Sequence, residues 1–423
     1  MQKVLIVTYY WPPGSGAGVQ RWLKFSKYLP ANGWQPIILT VDPQYAAYSA
    51  LDRDLSDEVP SDLVVYKTKA TDYFRLYRKD KSKIPSAGFA INDQDSFTSR
   101  ISRFIRGNFF IPDPRKGWNK YAYREACRLI ISEKISHIIT TSPPHSTQLI
   151  GLKLRKKFPE LKWIADLRDP WTDIYYYNQF YPAFISRKID SCYEKKVLRS
   201  ADKIITVGKS LMELFTSKVP GIRSKFTVIT NGYDAEDFEG QAVPAPSGFM
   251  ISYIGTLSDA YPVDGFLRAI KTLKWKGLKF SLRFVGLVSS GKKEMILSAA
   301  GESVIEFLPY ASHPEAISYM QNSSLLLLII PDHRSNKSII TGKLFEYLAS
   351  ERPIICIGPP EGDAAIIIGE CGHGSTFTYD DWEGVAGYIE TLIDKPFIQK
   401  TKSPSAFRRD NLVKDVAATL NQS

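Results

Sequence analysis

The stretch KVLIVTYYWPPGSGAGVQRWLKFSKYLPANGWQPIILT, residues 3–40, contains a strand, a glycine turn, a helix and a second strand in succession. Its apolar runs at 3–8 and 35–40 have the length of buried strands, and the segment 19–33 between them is helical in pattern and ends at a glycine. Apolar strands that alternate with helices are typical of a parallel sheet covered on both faces. The stretch therefore predicts a doubly wound α/β domain.

The same alternation continues through most of the chain and restarts after a loop rich in Gly, Pro and acidic residues at 231–248, which we interpret as a linker. Further strands are predicted at 136–141, 162–166, 202–207, 226–230, 249–255, 281–286, 303–308, 325–330, 353–358 and 374–379. We expect two similar domains, residues 1–230 and 231–405, followed by a helix at 406–423. An irregular basic insertion is expected at about 70–117, where no clear periodicity is found.

Length and composition indicate a globular protein with two cores. A chain of 423 residues is longer than one core usually supports, and 44% of its residues are hydrophobic. No run approaches the roughly 20 apolar residues of a membrane span, and the chain enters its first strand without a signal-peptide pattern. The four cysteines are far apart in sequence, which predicts neither a zinc site nor a disulfide framework. We expect a cytoplasmic protein.

Positive charge is concentrated in the first half of the chain. Residues 1–211 carry 34 Lys and Arg against 20 Asp and Glu, a net charge of +14, whereas the remainder carries 21 against 24, or −3. Such asymmetry favours a polyanion or an anionic membrane surface as a partner. A solvated basic face without a partner is the alternative.

The segment 99–118 interleaves cations with large apolar residues. Arg100, Arg103 and Arg106 alternate there with Ile101, Phe104, Ile105, Phe109 and Phe110. This pattern suits a helix lying in a membrane interface, and it equally suits an amphipathic helix packed on its own domain. The sequence leaves both interpretations open.

A cluster of glycines follows the first strand. Gly14, Gly16 and Gly18 lie between that strand and a helix, where backbone N–H groups favour an anion such as phosphate. The spacing G-x-G-x-G differs from the dinucleotide fingerprint G-x-G-x-x-G, although Asp42 lies at a suitable distance. A nicotinamide enzyme is therefore a weak alternative.

Two glycine turns also end predicted strands in the second half, at Gly255 and Gly286. Ligands of open α/β sheets bind beyond the carboxyl ends of the strands, so two such turns favour a nucleotide site. A Walker A loop is excluded, because Gly342 and Lys343 are followed by Leu344.

Several polar residues in the first half are further candidates. His145 follows a strand and begins a helix, where it is either a structural imidazole or a donor to a substrate oxygen. Asp166, Arg168 and Asp169 follow the next strand, as a structural cluster or as part of a substrate site. The D-x-D pattern at 93–95 is a weak metal candidate, and we expect no metal site.

Glu346 lies on the apolar helix pattern of TGKLFEYLASERPI, residues 341–354, three residues after Lys343. Three interpretations are open: a solvated helix residue, an ion pair with Lys343, and a ligand-binding carboxylate. A carboxylate can accept two O–H hydrogen bonds, which makes the third interpretation chemically sound.

Taken together, these motifs resemble the retaining glycosyltransferases of family 4, nearly from end to end of the chain. The family has the α/β GT-B fold, which consists of two facing Rossmann-like domains with a nucleotide-sugar cleft between them. The resemblance is carried by GAGVQRWLKFSKYLPANGWQPIILT at 16–40, ITNGYDAEDF at 229–238, YIGTL at 253–257 and GKLFEYLASERPI at 342–354. The terminal helix resembles the family's helix that crosses back to the first domain.

The resemblance implies roles for individual residues. Glu346 resembles the glutamate that binds the ribose hydroxyls, Lys343 the cation near the donor phosphates, and His145 the histidine near the sugar. These three form the expected catalytic set. The expected donor-binding set is Gly16, Gly18, Gly255, Thr256, Gly286, Lys337, Thr341, Gly342 and Leu344, and the expected acceptor-side set is Asp166, Arg168 and Asp169.

Two departures from the family pattern concern the donor. The second glutamate that many members carry is replaced by Ser338, and no cation follows Gly255 closely. We expect Lys343, together with Lys337 or Arg334, to meet the diphosphate charge instead.

The function implied is transfer of a sugar from a UDP- or GDP-linked donor to a lipid-linked or cell-envelope glycan acceptor, as in polysaccharide or lipopolysaccharide synthesis, without a cofactor or metal. The enzyme is expected in the cytoplasm or peripherally at the inner face of the cytoplasmic membrane, with an anionic membrane surface as an additional partner and no nucleic acid. Two alternatives are a sugar-nucleotide epimerase of the same fold and a non-catalytic basic protein that binds membranes or nucleic acid.

Overall fold

A computed structural model of the protein describes residues 1–48, 51–52, 54–73, 97–239, 248–395 and 404–423. The chain divides into two compact units. Unit 1 comprises Met1–Asn231 together with Arg409–Ser423, and unit 2 comprises Gly232–Arg408. The sequence prediction places the corresponding boundaries after residue 230 and before residue 406.

Unit 1 is built on a sheet of seven parallel strands in the order β3-β2-β1-β4-β5-β6-β7. The strands are β1 Gln2–Val7, β2 Trp34–Val41, β3 Val64–Thr68, β4 His137–Ser142, β5 Lys162–Leu167, β6 Lys203–Thr206 and β7 Phe226–Val228. The apolar residues of the five inner strands are buried on both faces, which explains the continuous apolar runs in the sequence, whereas the edge strands β3 and β7 are partly exposed.

Helices cover both faces of this sheet. Those of unit 1 are α1 Ala17–Tyr28, α2 Asp54–Asp57, α3 Phe97–Phe109, α4 Asn119–Ser132, α5 Gln148–Lys157, α6 Phe184–Ser200, α7 Lys209–Lys218 and α14 Arg409–Asn421. The segment predicted as an irregular insertion thus contains an α-helix, α3. Its residues 74–96, including the D-x-D pattern at 93–95, lie outside the described residues.

The helix α14 belongs to the core of unit 1. Its apolar residues Leu412, Val413, Val416 and Leu420 are buried in the same cluster as Trp22 and Leu23 of α1. The indole Nε1 of Trp34 donates a hydrogen bond to the Asn421 side chain at 3.2 Å. This helix therefore closes one face of the first sheet.

Unit 2 is built on six parallel strands in the order β10-β9-β8-β11-β12-β13. The strands are β8 Met250–Ile254, β9 Ser281–Val285, β10 Ile305–Leu308, β11 Leu325–Ile329, β12 Ile354–Ile357 and β13 Gly374–Phe377. The helices are α8 Asp264–Trp275, α9 Ser290–Ala300, α10 His313–Gln321, α11 Lys343–Ala349, α12 Asp363–Cys371 and α13 Trp382–Asp394.

The strand order reverses once in each sheet, between β1 and β4 in unit 1 and between β8 and β11 in unit 2. Such a switch point opens a crevice beyond the carboxyl ends of the strands, where ligands bind in open α/β sheets. The glycine turn after β1 and His145 after β4 lie at the first of these points, and the Gly255 turn after β8 lies at the second. Within the described part of the chain, no helix combines the length and apolar character needed to cross a bilayer.

Candidate functional site

In unit 2, Lys343 begins α11 and faces the glycine turn after β8. The helix is fixed by Leu344, Phe345 and Leu348, which are fully buried in the core of unit 2. Lys343 Nζ lies 3.8 Å from the centroid of the Tyr253 ring. It also lies 3.2 Å from the position that a Cβ atom on Gly255 would occupy, and Gly255 has a φ of +122°. The positive φ disfavours any side chain at this turn, and a Cβ there would also crowd the Lys343 ammonium.

The Lys343 ammonium has no hydrogen-bond partner, although its Nζ is inaccessible to water. Burial lowers the pKa of Lys343 to about 7, and the nearby Glu346 carboxylate opposes that shift only in part. A buried cation without a partner is costly, and an anion placed beside it removes that cost. The beginning of α11 therefore places one positive charge beside the Gly255 turn.

Glu346 lies one helical turn after Lys343, and its side chain is 16% exposed. The Glu346 carboxylate is therefore mostly buried and not freely solvated. A direct ion pair is also absent, because Lys343 Nζ has no partner. The carboxylate oxygen Oε1 instead lies 3.9 Å from Nδ1 of His313.

His313 is a site residue that the sequence analysis missed. It is the first residue of α10, and its Nε2 lies 3.1 Å from a carboxylate oxygen of Asp237. The Ser312 and Glu315 side chains form a capping box that fixes the start of this helix. The S-x-x-E pattern at 312–315 predicts that start in the sequence, but no local signal predicts that the imidazole lies between two carboxylates.

The other predicted donor residues differ in what they can contribute. A Cβ on Gly286, which has a φ of +113°, would lie 2.6 Å from the carbonyl oxygen of Gly255. Gly286 therefore packs directly against the backbone of the Gly255 turn. The Leu344 side chain is fully buried in the core, and its backbone N–H donates to the carbonyl of Thr341 at 3.1 Å. Thr256 is half-buried, and its carbonyl accepts a hydrogen bond from the Tyr253 hydroxyl.

The segment before α11 holds the remaining candidates. The Thr341 hydroxyl is buried without a partner, and Gly342 immediately precedes Lys343. The Lys337 side chain is 57% exposed and lies 3.8 Å from Glu361. Ser338, where the second family glutamate is missing, is buried and donates to the carbonyl of Ser335 at 2.9 Å. Ser338 therefore stabilises its own turn.

Unit 1 contains a cavity of about 300 Å³ beyond the carboxyl ends of β1 and β4. Its walls combine aromatic and apolar side chains with a small number of charged ones. It brings together Gly16 and Gly18 from the first glycine turn, His145 from the turn after β4, and Arg106 from α3. A largely apolar cavity with a few convergent polar groups is the usual form of a small-molecule site.

His145 is held against Trp171, and the two rings stack with centroids 4.9 Å apart and planes 12° apart. Neither ring nitrogen is accessible to water, and neither has a hydrogen-bond partner. Burial, together with the positive charges of Lys218 and Arg168, lowers the pKa of His145 to about 3. The imidazole is therefore neutral at physiological pH, and it can donate one hydrogen bond and accept another.

Asp113, which the sequence analysis missed, fixes the turn that carries His145. Its carboxylate accepts hydrogen bonds from the backbone N–H of Ser146 at 2.8 Å and from the Ser146 hydroxyl at 2.9 Å. The side chain of Asn119 donates to the Ser146 carbonyl at 2.7 Å. Both partners lie far from His145 in the sequence, so local pattern gives no indication of them.

Asp190 forms the back of the same cavity behind Trp171. It accepts hydrogen bonds from the Trp171 indole at 2.7 Å and from the Tyr177 hydroxyl at 3.0 Å. Burial raises the pKa of Asp190 to about 7, against the effect of these two hydrogen bonds. Asp190 thus orients the ring on which His145 stacks.

The predicted acceptor-side residues are not equivalent. Asp166 is fully buried, and its carboxylate is bound by Arg21 at 3.2 Å, by the Trp22 indole at 2.8 Å and by the Thr141 hydroxyl at 2.7 Å. Its oxygens thus have structural partners, and it does not line the cavity. These contacts link α1 to the centre of the sheet.

Arg168 and Asp169 lie closer to the glycine turn. Arg168 donates to the carbonyls of Ser142 at 3.1 Å and Gly18 at 3.4 Å, which fixes the turn after β1 to the end of β4. Asp169 is half-buried, and burial raises the pKa of its carboxylate. Among the residues that the structure describes, no three His, Cys, Asp or Glu side chains cluster closely enough to hold a metal ion.

Comparisons with known sequences find no protein-family model that matches the chain and no match among curated proteins. Solved structures do resemble it. Sucrose-phosphate synthase from Thermosynechococcus elongatus has a TM-score of 0.59 and 13% identity, with 99% of this chain and 95% of that chain covered. The lipopolysaccharide outer core galactosyltransferase WaaB has a TM-score of 0.60 and 12% identity, with coverage of 100% and 99%.

A putative UDP-N-acetylglucosamine 2-epimerase from Listeria monocytogenes is also similar, with a TM-score of 0.53, 11% identity and coverage of 99% and 96%. At these identities the likeness shows the fold. The chain has the GT-B fold, and this confirms the predicted fold class. The assignment to family 4 stays a prediction.

Proposed function

We propose that the protein is a retaining glycosyltransferase that moves a hexosyl unit from a UDP- or GDP-linked donor to a lipid-linked or cell-envelope glycan acceptor. The observation that carries this proposal is the Lys343 ammonium, which is buried without a hydrogen-bond partner and faces the Gly255 turn. The GT-B fold supports it, since solved structures with this fold include enzymes named for sugar transfer.

In this proposal unit 2 binds the nucleotide. Lys343 balances the charge of the diphosphate, and the Gly255 turn leaves space for its oxygens. Glu346 accepts hydrogen bonds from the two ribose hydroxyls, which suits a mostly buried carboxylate. His313, placed between Glu346 and Asp237, orients the Glu346 carboxylate.

Unit 1 contains the cavity around His145, to which we assign a sugar hydroxyl as ligand. A neutral imidazole that both donates and accepts a hydrogen bond is complementary to a sugar hydroxyl, which does the same. The Trp171 ring holds the imidazole in place, and aromatic walls suit the apolar faces of a sugar ring.

The reaction step forms one bond and breaks one at the anomeric carbon. The acceptor hydroxyl attacks that carbon on the face that the nucleoside diphosphate leaves, and the bond between the carbon and the diphosphate oxygen breaks. The departing phosphate oxygen takes the hydroxyl proton, so no protein base is needed. The protein supplies position and stabilises the leaving charge through Lys343. Because Lys343 supplies that charge, we propose that transfer continues when divalent metals are removed with a chelator.

Isothermal titration with UDP and GDP tests the nucleotide site. Lys343→Met is expected to weaken binding of the preferred diphosphate by about 10- to 100-fold, because it removes a charge-assisted contact to phosphate. Lys337→Met is the matched control, since its side chain is largely exposed, and a change of less than about threefold is expected. Equal effects of the two substitutions would falsify the assignment of Lys343.

Product analysis distinguishes transfer from epimerisation. Incubation of the preferred nucleotide sugar without an acceptor should leave the sugar configuration unchanged. Acceptor-free conversion of the donor sugar would identify an epimerase instead. Retention on DNA without any nucleotide-sugar binding would select the non-catalytic alternative.

A further inference from the structure

Unit 1 exposes an unusual set of large apolar side chains on two adjoining helices. On α3 these are Ile101, Phe104 and Phe109, and on α6 they are Phe184, Ile185 and Ile189. Phe184 and Ile185 are 69% and 70% exposed. We call these six residues the apolar face. Exposed apolar residues scattered singly are ordinary on protein surfaces, whereas contiguous apolar patches are typical of interaction sites.

The first half of α6 has the reverse of the usual amphipathic pattern. Its buried side carries Ser186 and Asp190, whereas its exposed side carries Phe184, Ile185 and Ile189. A surface helix of a globular protein normally turns its apolar side inward. The packing of unit 1 therefore does not account for the apolar residues on the outside.

Asn108 joins the two helices into one surface. Its amide nitrogen donates to the carbonyl of Tyr181 at 3.0 Å, and its side-chain oxygen accepts from the backbone N–H of Ala183 at 2.7 Å and from the Ser186 hydroxyl at 3.0 Å. Close packing adds to this, because a Cβ on Gly107 would lie 2.1 Å from the carbonyl of Phe180. The apolar face is therefore formed in advance and does not require a helix to fold on binding.

The charged residues in the two chain segments that carry the apolar face are all positive. The sequences 97–109 and 181–189 contain Arg100, Arg103, Arg106, Arg187 and Lys188 and no Asp or Glu. Lys188 and Phe184 lie together, with Nζ 4.6 Å from the ring centroid. Unit 1 also contains the residues 1–211 that carry a net charge of +14. Cations beside exposed Phe and Ile match an anionic lipid surface, in which apolar side chains enter the acyl boundary and cations meet phosphate.

We propose that the apolar face docks unit 1 onto a bilayer containing anionic phospholipid. This inference does not depend on the proposed activity, because it rests on surface residues alone. Docking has a further consequence for the cavity: Arg106 and Gly107 of α3 line it, so the helix that touches the lipid also forms a wall of the cavity. A membrane-embedded molecule would thus meet the cavity beside the surface on which the protein docks.

Vesicle co-sedimentation tests the proposal. Wild-type protein should bind vesicles of phosphatidylcholine mixed with phosphatidylglycerol, and should bind phosphatidylcholine alone at least about tenfold more weakly. Phe184→Ser with Ile185→Ser should lower binding to the anionic vesicles at least about tenfold, since two apolar side chains no longer enter the lipid. Ile131→Ser, which changes a residue 68% exposed on α4, should leave binding unchanged.

A second pair of variants tests the contribution of positive charge to vesicle binding. The test variant is Arg100→Glu with Lys188→Glu, and the matched control is Lys153→Glu with Lys156→Glu on α5. We expect the test variant to abolish binding to anionic vesicles and the control to weaken it less than about threefold. Thermal melting of every variant should coincide with that of the wild type, because the altered residues are exposed.

Three outcomes would overturn the proposal. The first is absence of vesicle binding by the wild type, and the second is equal binding to neutral and anionic vesicles. The third is a concentration-dependent dimer in sedimentation velocity that Phe184→Ser with Ile185→Ser disrupts, because the apolar face would then join two copies of the chain. None of these measurements uses sugar transfer, so failure here is distinguishable from failure of the proposed activity.

Discussion

The Lys343 ammonium is buried before any ligand arrives, and its proton is held less tightly than that of an exposed lysine. With a pKa of about 7, most Lys343 side chains are neutral at pH 8. A diphosphate beside Nζ favours the charged form and raises this pKa. Nucleotide binding and proton uptake are therefore linked.

We predict that UDP or GDP binding takes up close to one proton at pH 8 and almost none at pH 6. Affinity should fall as pH rises above about 7, because the free protein must first be protonated. Titration calorimetry in buffers of different ionisation enthalpy measures the uptake. Lys343→Met should bind without uptake, and the same uptake in that variant would show that another group titrates.

A second prediction concerns His145 and stability in acid. The pKa of His145 is about 3 in the folded protein against 6.5 for an ordinary histidine. Between these values the unfolded chain binds a proton that the folded protein does not, so this contribution to stability is complete above pH 6.5 and falls as pH decreases. The loss from pH 6.5 to pH 5 should be about 2 kcal/mol.

Denaturant unfolding of wild type and His145→Phe at several pH values measures this effect. The Phe ring preserves stacking on Trp171 and does not titrate, so the stability of the variant should fall less steeply in acid. Parallel curves for the two proteins would contradict the prediction.

At this scale, the sequence predicts residues that lie in local motifs and misses those that act across the fold. Gly16, Gly18 and His145 follow strands that are neighbours in the sheet, so their meeting at one cavity follows from topology. Lys343 and Glu346 were singled out by the helix pattern and the family resemblance. His313 in unit 2 and Asp113 in unit 1 each reach their neighbouring candidate residues from a separate element, and a local sequence pattern does not predict packing between elements.

At the scale of helices and strands, two glycines within helices of unit 2 are expected to respond in opposite ways to substitution by alanine. Gly387 lies in α13 with nothing within 4 Å of its missing Cβ, whereas a Cβ on Gly265 in α8 would lie 2.0 Å from the carbonyl of Tyr379. Gly387→Ala should raise the free energy of unfolding by about 0.5–1 kcal/mol, because alanine reduces the freedom of the unfolded chain. Gly265→Ala should lower it by at least about 1 kcal/mol through the clash. Urea unfolding of both variants measures these changes in the free energy of unfolding. Destabilisation by Gly387→Ala would contradict the open space that the structure shows around that residue.

Hydrophobic periodicity in the sequence predicts some helices and strands correctly and misses others. The predicted strand at 35–40 corresponds to β2, because a strand buried on both faces requires a continuous apolar run. The strand β3 was not predicted: it lies at the edge of the sheet, and its partly exposed residues lack that run. The predicted helix 19–33 is longer than α1, because the chain forms a short 3₁₀ turn from Pro30 before Gly33.

At the scale of the whole molecule, the chain leaves unit 2 and returns to unit 1 with its last helix, α14. The sequence predicts this helix, and the structure assigns it to unit 1. Val416→Asp should lower the free energy of unfolding of unit 1 by at least about 3 kcal/mol, because Val416 is fully buried and a carboxylate there has no partner. Ala418→Asp, on the exposed side of the same helix, should cost less than about 1 kcal/mol. Equal destabilisation would mean that α14 does not pack as described.

Fold class follows from the sequence more readily than strand order does. The alternation of apolar strands and helices predicts two parallel sheets, and the structure contains them. Strand order is different: β4 lies beside β1 in one sheet, and β11 lies beside β8 in the other. These positions depend on which face of the sheet each connecting helix covers. That choice is made by packing of whole helices, so it leaves no trace in local periodicity.

The contribution of α14 to unit 1 also affects how the protein is made. Residues 409–423 leave the ribosome only after all of unit 2, and at 5–20 residues per second that delay is on the order of ten seconds or more. During translation the surface around Trp22 and Leu23 remains open on the nascent chain, while unit 2 is already free to fold. The first half of the gene therefore encodes a unit that matures second, and chaperones encounter its uncovered groove in the interval.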